Sequence, residues 1–102
     1  MAFGQQVAYR VQETQVNVPT GSWVALEGAT ALSNRFAVKV AHVGVGGAVR
    51  LGLSYDNTIP VKNARHWMHP GGVVVEPAST GLTLYARAKG APIRVFVTEY
   101  GH

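Results

Sequence analysis

The chain has 102 residues, of which 47% are hydrophobic and only 14% are charged. This length supports one hydrophobic core, and the absence of cysteine excludes a disulfide framework, a thiolate metal site and a cysteine nucleophile. The sparse charge leaves much of the surface neutral or apolar, which is typical of proteins that bind a partner, and the net charge of +4 favours an acidic one. No apolar run is long enough to span a bilayer and the first residues do not resemble a signal peptide, so we expect folding in a cytoplasm and no membrane contact.

Apolar residues alternate with period two along the chain, which predicts strands, and no window predicts a helix. Residues 1–6 precede this pattern, so we expect them to form a flexible N-terminal arm. Val11 and Val16 fall on opposite phases of the alternation, which predicts a bulge or a break near Glu13–Thr14. A second, short strand is expected over 22–27.

The clearest predicted strand covers residues 35–43. Its alternation assigns three side chains to the core, namely Phe36, Val38 and Val40. It assigns the other set to solvent, namely Arg35, Ala37, Lys39 and Ala41. Residues 44–47, Gly-Val-Gly-Gly, predict a hairpin turn before the next strand, over 49–55. A phosphate loop is disfavoured there because neither a Lys-Ser or Lys-Thr pair nor a helix follows.

The second half of the chain predicts one long irregular stretch, residues 62–72, followed by a buried strand at 73–75. Strands over 82–89 and 93–100 follow, with a turn between them. Seven or eight short strands at roughly ten-residue intervals indicate an all-β, single-domain antiparallel sandwich over residues 1–102. The long stretch can carry the chain from one sheet to the other, which favours a jelly-roll or Greek-key-like arrangement.

Catalytic and metal-binding patterns are weak. His66 and His69 are three residues apart, but no carboxylate or cysteine lies nearby to complete a metal site, so we expect loop histidines and no bound metal. The carboxylates are isolated from one another, and no serine lies in a nucleophile-elbow sequence. We therefore expect neither an enzyme nor a cofactor.

Several residues are candidates for contacts with a partner. Trp67 lies in the irregular stretch and either anchors a partner or folds back to plug one end of the sandwich. Phe96 and Tyr100 are large side chains at outward positions, which indicates that another chain, or the N-terminal arm, covers part of this face. The arm and the stretch are expected to contact the partner together. The full set of predicted interface residues is Phe3, Arg65, His66, Trp67, Met68, His69, Phe96 and Tyr100.

Six of the nine basic residues fall at positions that the alternation assigns to solvent: Arg35, Lys39, Arg50, Arg87, Lys89 and Arg94. They are either solvated outward positions or a basic face for an acidic partner. Nucleic-acid binding, with Tyr85 and Phe96 as stacking platforms, is disfavoured because the sequence has no clustered basic patch or RNA-binding signature.

A succession of short runs carries a family resemblance. The runs are Leu-Ser-Asn-Arg-Phe at 32–36, Val-Lys-Val at 38–40, Ala-Val-Arg-Leu-Gly at 48–52, Met-His-Pro-Gly-Gly at 68–72, Leu-Thr-Leu-Tyr-Ala at 82–86 and Ile-Arg-Val-Phe-Val-Thr-Glu at 93–99. Over about residues 30–100 the chain resembles the small β-sandwich decoration (cement) proteins and head-fibre proteins of tailed phages. The resemblance implies a non-enzymatic virion protein, made in the host cytoplasm, that sits on the capsid surface as a homotrimer and binds the major capsid protein.

Two other functions remain open. A glycan- or receptor-binding module of a phage fibre would use Trp23, Trp67 or Tyr55 to stack on sugars. Asp56 and Asn57 could supply polar contacts there, although a β-turn also explains them. A head–tail connector or tail component would require ring symmetry.

Overall fold

The structure, a computed structural model, describes residues 10–42 and 49–102. Its strands are β1 Arg10–Val18, β2 Val24–Ala25, β3 Arg35–Ala41, β4 Arg50–Ser54, β5 His66–Met68, β6 Val73–Pro77, β7 Tyr85–Lys89 and β8 Ile93–Gly101. One turn of 3-10 helix, Val61–Asn63, lies between β4 and β5. The described residues contain no helix that could cross a membrane.

The strands form two four-stranded antiparallel sheets. The first sheet has the order β1-β8-β3-β6 and the second sheet has the order β2-β7-β4-β5. Each strand of the first half of the chain pairs with one of the second half: β1 with β8, β2 with β7, β3 with β6 and β4 with β5. This winding of two antiparallel arms is the jelly roll. The prediction of an all-β, single-domain antiparallel sandwich is confirmed.

The core lies between the inner faces of the two sheets. Alternate residues of each strand point into it because successive side chains of a strand face opposite ways. The buried side chains of the cluster are Val18, Leu26, Val38, Val40, Leu51, Leu53, Met68, Ala78, Leu84, Ala86, Ala88, Val95 and Val97.

The predicted bulge in the first strand is wrong. β1 pairs with β8 in one unbroken register from Arg10 to Val18. Val11 faces outward, whereas Val16 and Val18 face the core. The change of phase in the sequence therefore means that the apolar residues move from the outer face to the inner face of β1. The backbone continues without interruption.

A bulge occurs instead at the start of β3, where the pairing with β8 shifts between Arg35 and Ala37. The extra residue puts Arg35 on the same, inner face as Val38. The predicted orientations of Arg35 and Phe36 are therefore wrong: Arg35 is buried, whereas Phe36 is exposed and its ring lies 4.8 Å from that of His102.

The stretch 62–72 is more regular than predicted, since it contains β5, which pairs with β4. The chain crosses to the first sheet in the turn at 69–72, where the Gly72 amide donates to the His69 carbonyl oxygen. The prediction that 73–75 is buried is also wrong. β6 is an edge strand of the first sheet, and two of its valines point to solvent.

Candidate functional site

A buried ion pair closes the end of the sandwich where the β2–β3 and β6–β7 loops meet. The Arg35 guanidinium donates to Glu99 at 2.8 Å and to Glu27 at 3.2 Å. Its remaining hydrogen bonds go to three backbone carbonyl oxygens, those of Ala78, Ser79 and Leu82. All five N–H groups of the guanidinium are thus used, so this arginine is not available to an external anion.

The Glu99 carboxylate is equally well satisfied. It accepts hydrogen bonds from the backbone amides of Leu32 and Gly28 and from the side chains of Arg35 and Gln12. Burial raises the pKa of Glu99, but these four donors outweigh it, so the pKa lies below its ordinary value. A carboxylate held charged by so many donors is a poor general base, and the cluster acts as a structural link between β1, β3, β8 and two loops.

The predicted contact segment 65–69 splits into residues of different roles. Met68 is only 3% exposed and belongs to the core, so it is corrected from an interface candidate to a structural residue. Arg65 is exposed, lies 5.3 Å from the Tyr55 ring and is 3.7 Å from the Glu76 carboxylate. His66 and His69 are exposed. Within the described residues no three metal-ligating side chains come together.

Trp67 lies on the outer face of the second sheet, so it does not plug the end of the sandwich. It is directly opposite Gly52 on β4, and a Cβ added to that glycine would come within 3.4 Å of the indole. The ring therefore packs closely against β4 at Gly52. The Arg50 guanidinium carbon lies 5.1 Å from its centroid and the Lys89 ammonium nitrogen 5.9 Å, distances typical of cation–π contacts.

These cations belong to a surface that we call the basic face, the outer surface of the second sheet formed by Arg50, Trp67, Arg87 and Lys89. The same alternation that buries Ala86 and Ala88 puts Arg87 and Lys89 on this side. Arg50 is directly opposite Lys89 in the antiparallel register. Strands β2, β7, β4 and β5 contain no Asp or Glu, so the basic face has no carboxylate of its own.

A second surface, the apolar face, is the outer side of the first sheet and is formed by Val11, Val73, Val75, Phe96 and Tyr100. Phe96 is 43% exposed, and Val73 and Val75 are 59% and 58% exposed. Ala41 pairs with both Val73 and Phe96, so these three side chains form one continuous apolar row across β6, β3 and β8. The row ends on β1, where Gln15 pairs with Phe96. The polar residues Glu13, Lys39 and Thr98 line a shallow groove of about 580 Å³ beside this row.

The predicted interface residues therefore do not form one site. Phe96 and Tyr100 lie on the apolar face, whereas Trp67 lies on the basic face. Phe3 and the rest of the N-terminal arm are outside the described residues, as is the predicted turn at 44–47. Sequence reasoning missed Val73 and Val75 because three successive valines indicate a buried strand, and only the sheet order shows that they lie at an edge.

The two polar residues proposed for sugar binding, Asp56 and Asn57, belong to a turn. The Asp56 carboxylate accepts hydrogen bonds from the backbone amide and the hydroxyl of Thr58, and these bonds lower the pKa of Asp56. The Trp23 indole donates to the Ile59 carbonyl oxygen. The Asp56 carboxylate and the Trp23 indole N–H thus serve local structure.

Comparison with family models, with characterised proteins and with solved structures finds no match for this chain. Its function has to be inferred from its own residues and geometry.

Proposed function

We propose that this protein is a non-enzymatic capsid decoration protein of a tailed phage that binds the outer surface of the major capsid protein and stabilises the shell. The jelly-roll sandwich is compatible with this role, since the same architecture recurs in viral capsid proteins. The strand succession that resembles decoration proteins falls on β3 through β8. Such a protein needs no reactive group, and its buried charges serve the fold.

The apolar face is the observation that supports this proposal most. Val73 and Val75 on the edge strand and Phe96 on a central strand leave an apolar surface that a solitary domain would expose to water. Contact between copies through this face gives the proposed homotrimer. Each copy then presents β5 and the turn that follows it, residues 66–72, to the shell, and three weak contacts act together through avidity. We call residues 66–72 the β5–β6 segment.

The β5–β6 segment is suited to contact a shell because its side chains are accessible and its backbone is well fixed. His66 and His69 are exposed. The Gly71 amide donates to the His42 carbonyl oxygen at 2.7 Å, which attaches the turn to the end of β3. A turn held in one conformation loses little entropy when it binds.

The test uses shells assembled from the major capsid protein of the phage that encodes this chain. The purified protein is mixed with undecorated shells and pelleted, and the melting of the shells is followed with and without it. We expect saturable co-sedimentation and a higher melting temperature of the decorated shells, because a ligand that binds only the assembled state stabilises it. Absence of co-sedimentation over a wide concentration range would refute the proposal.

A matched pair of variants locates the contact. Replacing His66 and His69 together with alanine is expected to weaken shell binding about tenfold, whereas Asn57→Ala, an exposed change in the β4–β5 connection, is expected to leave it unchanged. Equal binding by both variants would remove the β5–β6 segment from the contact while leaving the decoration role intact.

A further inference from the structure

The basic face carries an arrangement of charge that the fold itself does not need. Arg50 and Lys89 are direct cross-strand neighbours, and like charges at this position in an antiparallel pair repel each other. Arg87 lies two residues before Lys89 and therefore on the same face. Three cations thus share one side of two neighbouring strands.

The carboxylates of the chain are all placed elsewhere. Two of the five hold Arg35, namely Glu27 and Glu99. Glu76 lies beside Arg65 and Asp56 closes its own turn. Glu13, on β1, faces outward from the other sheet. Among the described residues, no ion pair therefore involves Arg50, Arg87 or Lys89.

Trp67 contacts two of these three cations and positions them. The indole rests on the backbone at Gly52, and two cationic groups lie within 6 Å of its centroid, at 5.1 and 5.9 Å. Arg87 is fixed from another side, since its Nε donates to the Thr20 carbonyl oxygen at 2.8 Å. A ring that already contacts the sheet and two cations offers little surface for stacking a base or a sugar. It fixes the positions of charges.

We propose that the basic face binds a carboxylate-rich extended segment of a partner protein. Arginine forks match carboxylates in geometry, and alternate residues of an extended chain are about 6.8 Å apart, the same repeat that separates Arg87 from Lys89 along β7. Single-stranded nucleic acid is disfavoured as the occupant because its binding depends on open aromatic platforms, whereas Trp67 is already covered and Tyr85, on the same side of β7, is half-buried. The inference is independent of the proposed decoration role.

The test measures binding by calorimetry at low ionic strength, with a synthetic peptide of alternating glutamate and serine as the probe. A peptide with glutamine in place of glutamate is the ligand control. We expect the glutamate peptide alone to bind, and its affinity to fall as salt is added, because exposed charges are screened. Replacing Arg50 and Lys89 together with glutamine is expected to lower the affinity about tenfold.

Three further variants keep the result interpretable. Arg94→Gln removes an exposed arginine from the outer side of the first sheet and is expected to leave peptide binding unchanged. Arg50→Lys, which keeps the charge but loses the planar fork, should lower the affinity by less than the double variant does. If the double variant fails to fold, Lys89→Gln alone is measured, since this side chain is exposed.

Three results would each overturn the proposal. The first is that the glutamate peptide does not bind the unmodified protein. The second is that it binds a folded variant lacking the basic side chains as well as it binds the unmodified protein. The third is tighter binding of a thymidine oligonucleotide than of the peptide, which would assign the face to nucleic acid.

Discussion

Glu99 carries a buried charge that four hydrogen-bond donors hold in place, and its partner Arg35 is equally enclosed. Buried pairs of this kind contribute little net stability when both partners are present, because both charges lose their hydration. Removing one partner is costly, since the other is left charged and unpaired. The cluster thus makes the fold of this end of the sandwich dependent on two residues.

The first prediction concerns the stability of the folded protein in acid. Because the pKa of Glu99 is lower in the folded protein than its ordinary value of 4.5, the unfolded chain binds the proton more readily. The stabilisation is fully present above that ordinary value and is lost as the pH falls through the lowered folded value. Urea denaturation at neutral pH and at a series of acid pH values should show this loss.

Glu99→Gln provides the control for the acid prediction. We expect this variant to be less stable at neutral pH by on the order of 3 kcal/mol, and the difference from the unmodified protein to shrink in acid. A difference that stayed constant across the pH range would show that Glu99 does not carry the effect.

The second prediction concerns Gly52, which lets Trp67 lie against β4. An added Cβ would be 3.1 Å from the Ala64 Cβ and 3.4 Å from the indole. Gly52→Ala is therefore expected to push the indole outward and to destabilise the fold by about 1–2 kcal/mol. Thermal unfolding and tryptophan fluorescence measure both effects. Gly21→Ala is the matched control, because nothing lies within 4 Å of its added Cβ, and a similar loss there would contradict this explanation.

At the scale of the elements, the alternation of apolar and polar residues predicts the positions of the strands well and the faces to which their side chains point less well. The inner residues of β4, β7 and β8 follow the period-two pattern as predicted. The pattern fails at β3, because one extra residue in a bulge reverses the faces of Arg35 and Phe36 and nothing local in the sequence marks it. Period alone also cannot separate a central strand from an edge strand, which is why β6 was expected to be buried.

The candidate surfaces were predictable only in part. Alternation places Phe96 on an outward face, and the structure exposes it. The basic face could be recognised only from the strand register, because Arg50 and Lys89 lie opposite each other in the sheet but far apart in the sequence. Predicting the ion pair of Arg35 with Glu99 would have required knowledge of both the bulge and the pairing of β3 with β8.

At the scale of the whole molecule, the apolar face leads to a prediction about assembly. We expect light scattering to give the mass of three chains of 10.9 kDa. Phe96→Ser should shift the protein toward monomer, because a central aromatic contact of this kind is worth about 2 kcal/mol. Leu82→Ser is the control, since Leu82 is exposed to the same extent, 43%, but lies in a loop. A stable monomer of the unmodified protein at micromolar concentration would exclude the trimer.

The nested pairing of the jelly roll also has a kinetic consequence. Among the strand pairs of residues 10–42 and 49–102, only β4 and β5 are near neighbours along the chain, whereas β1 must find β8 at the far end. Closing such distant pairs costs chain entropy before their contacts form, so the protein should fold on a timescale of about milliseconds to seconds. Until β8 is in place, β3 lacks one of its two partners and the valines of β6 lie on an incomplete sheet. Refolding from urea should therefore give its best yield in dilute solution, where partly folded chains meet rarely.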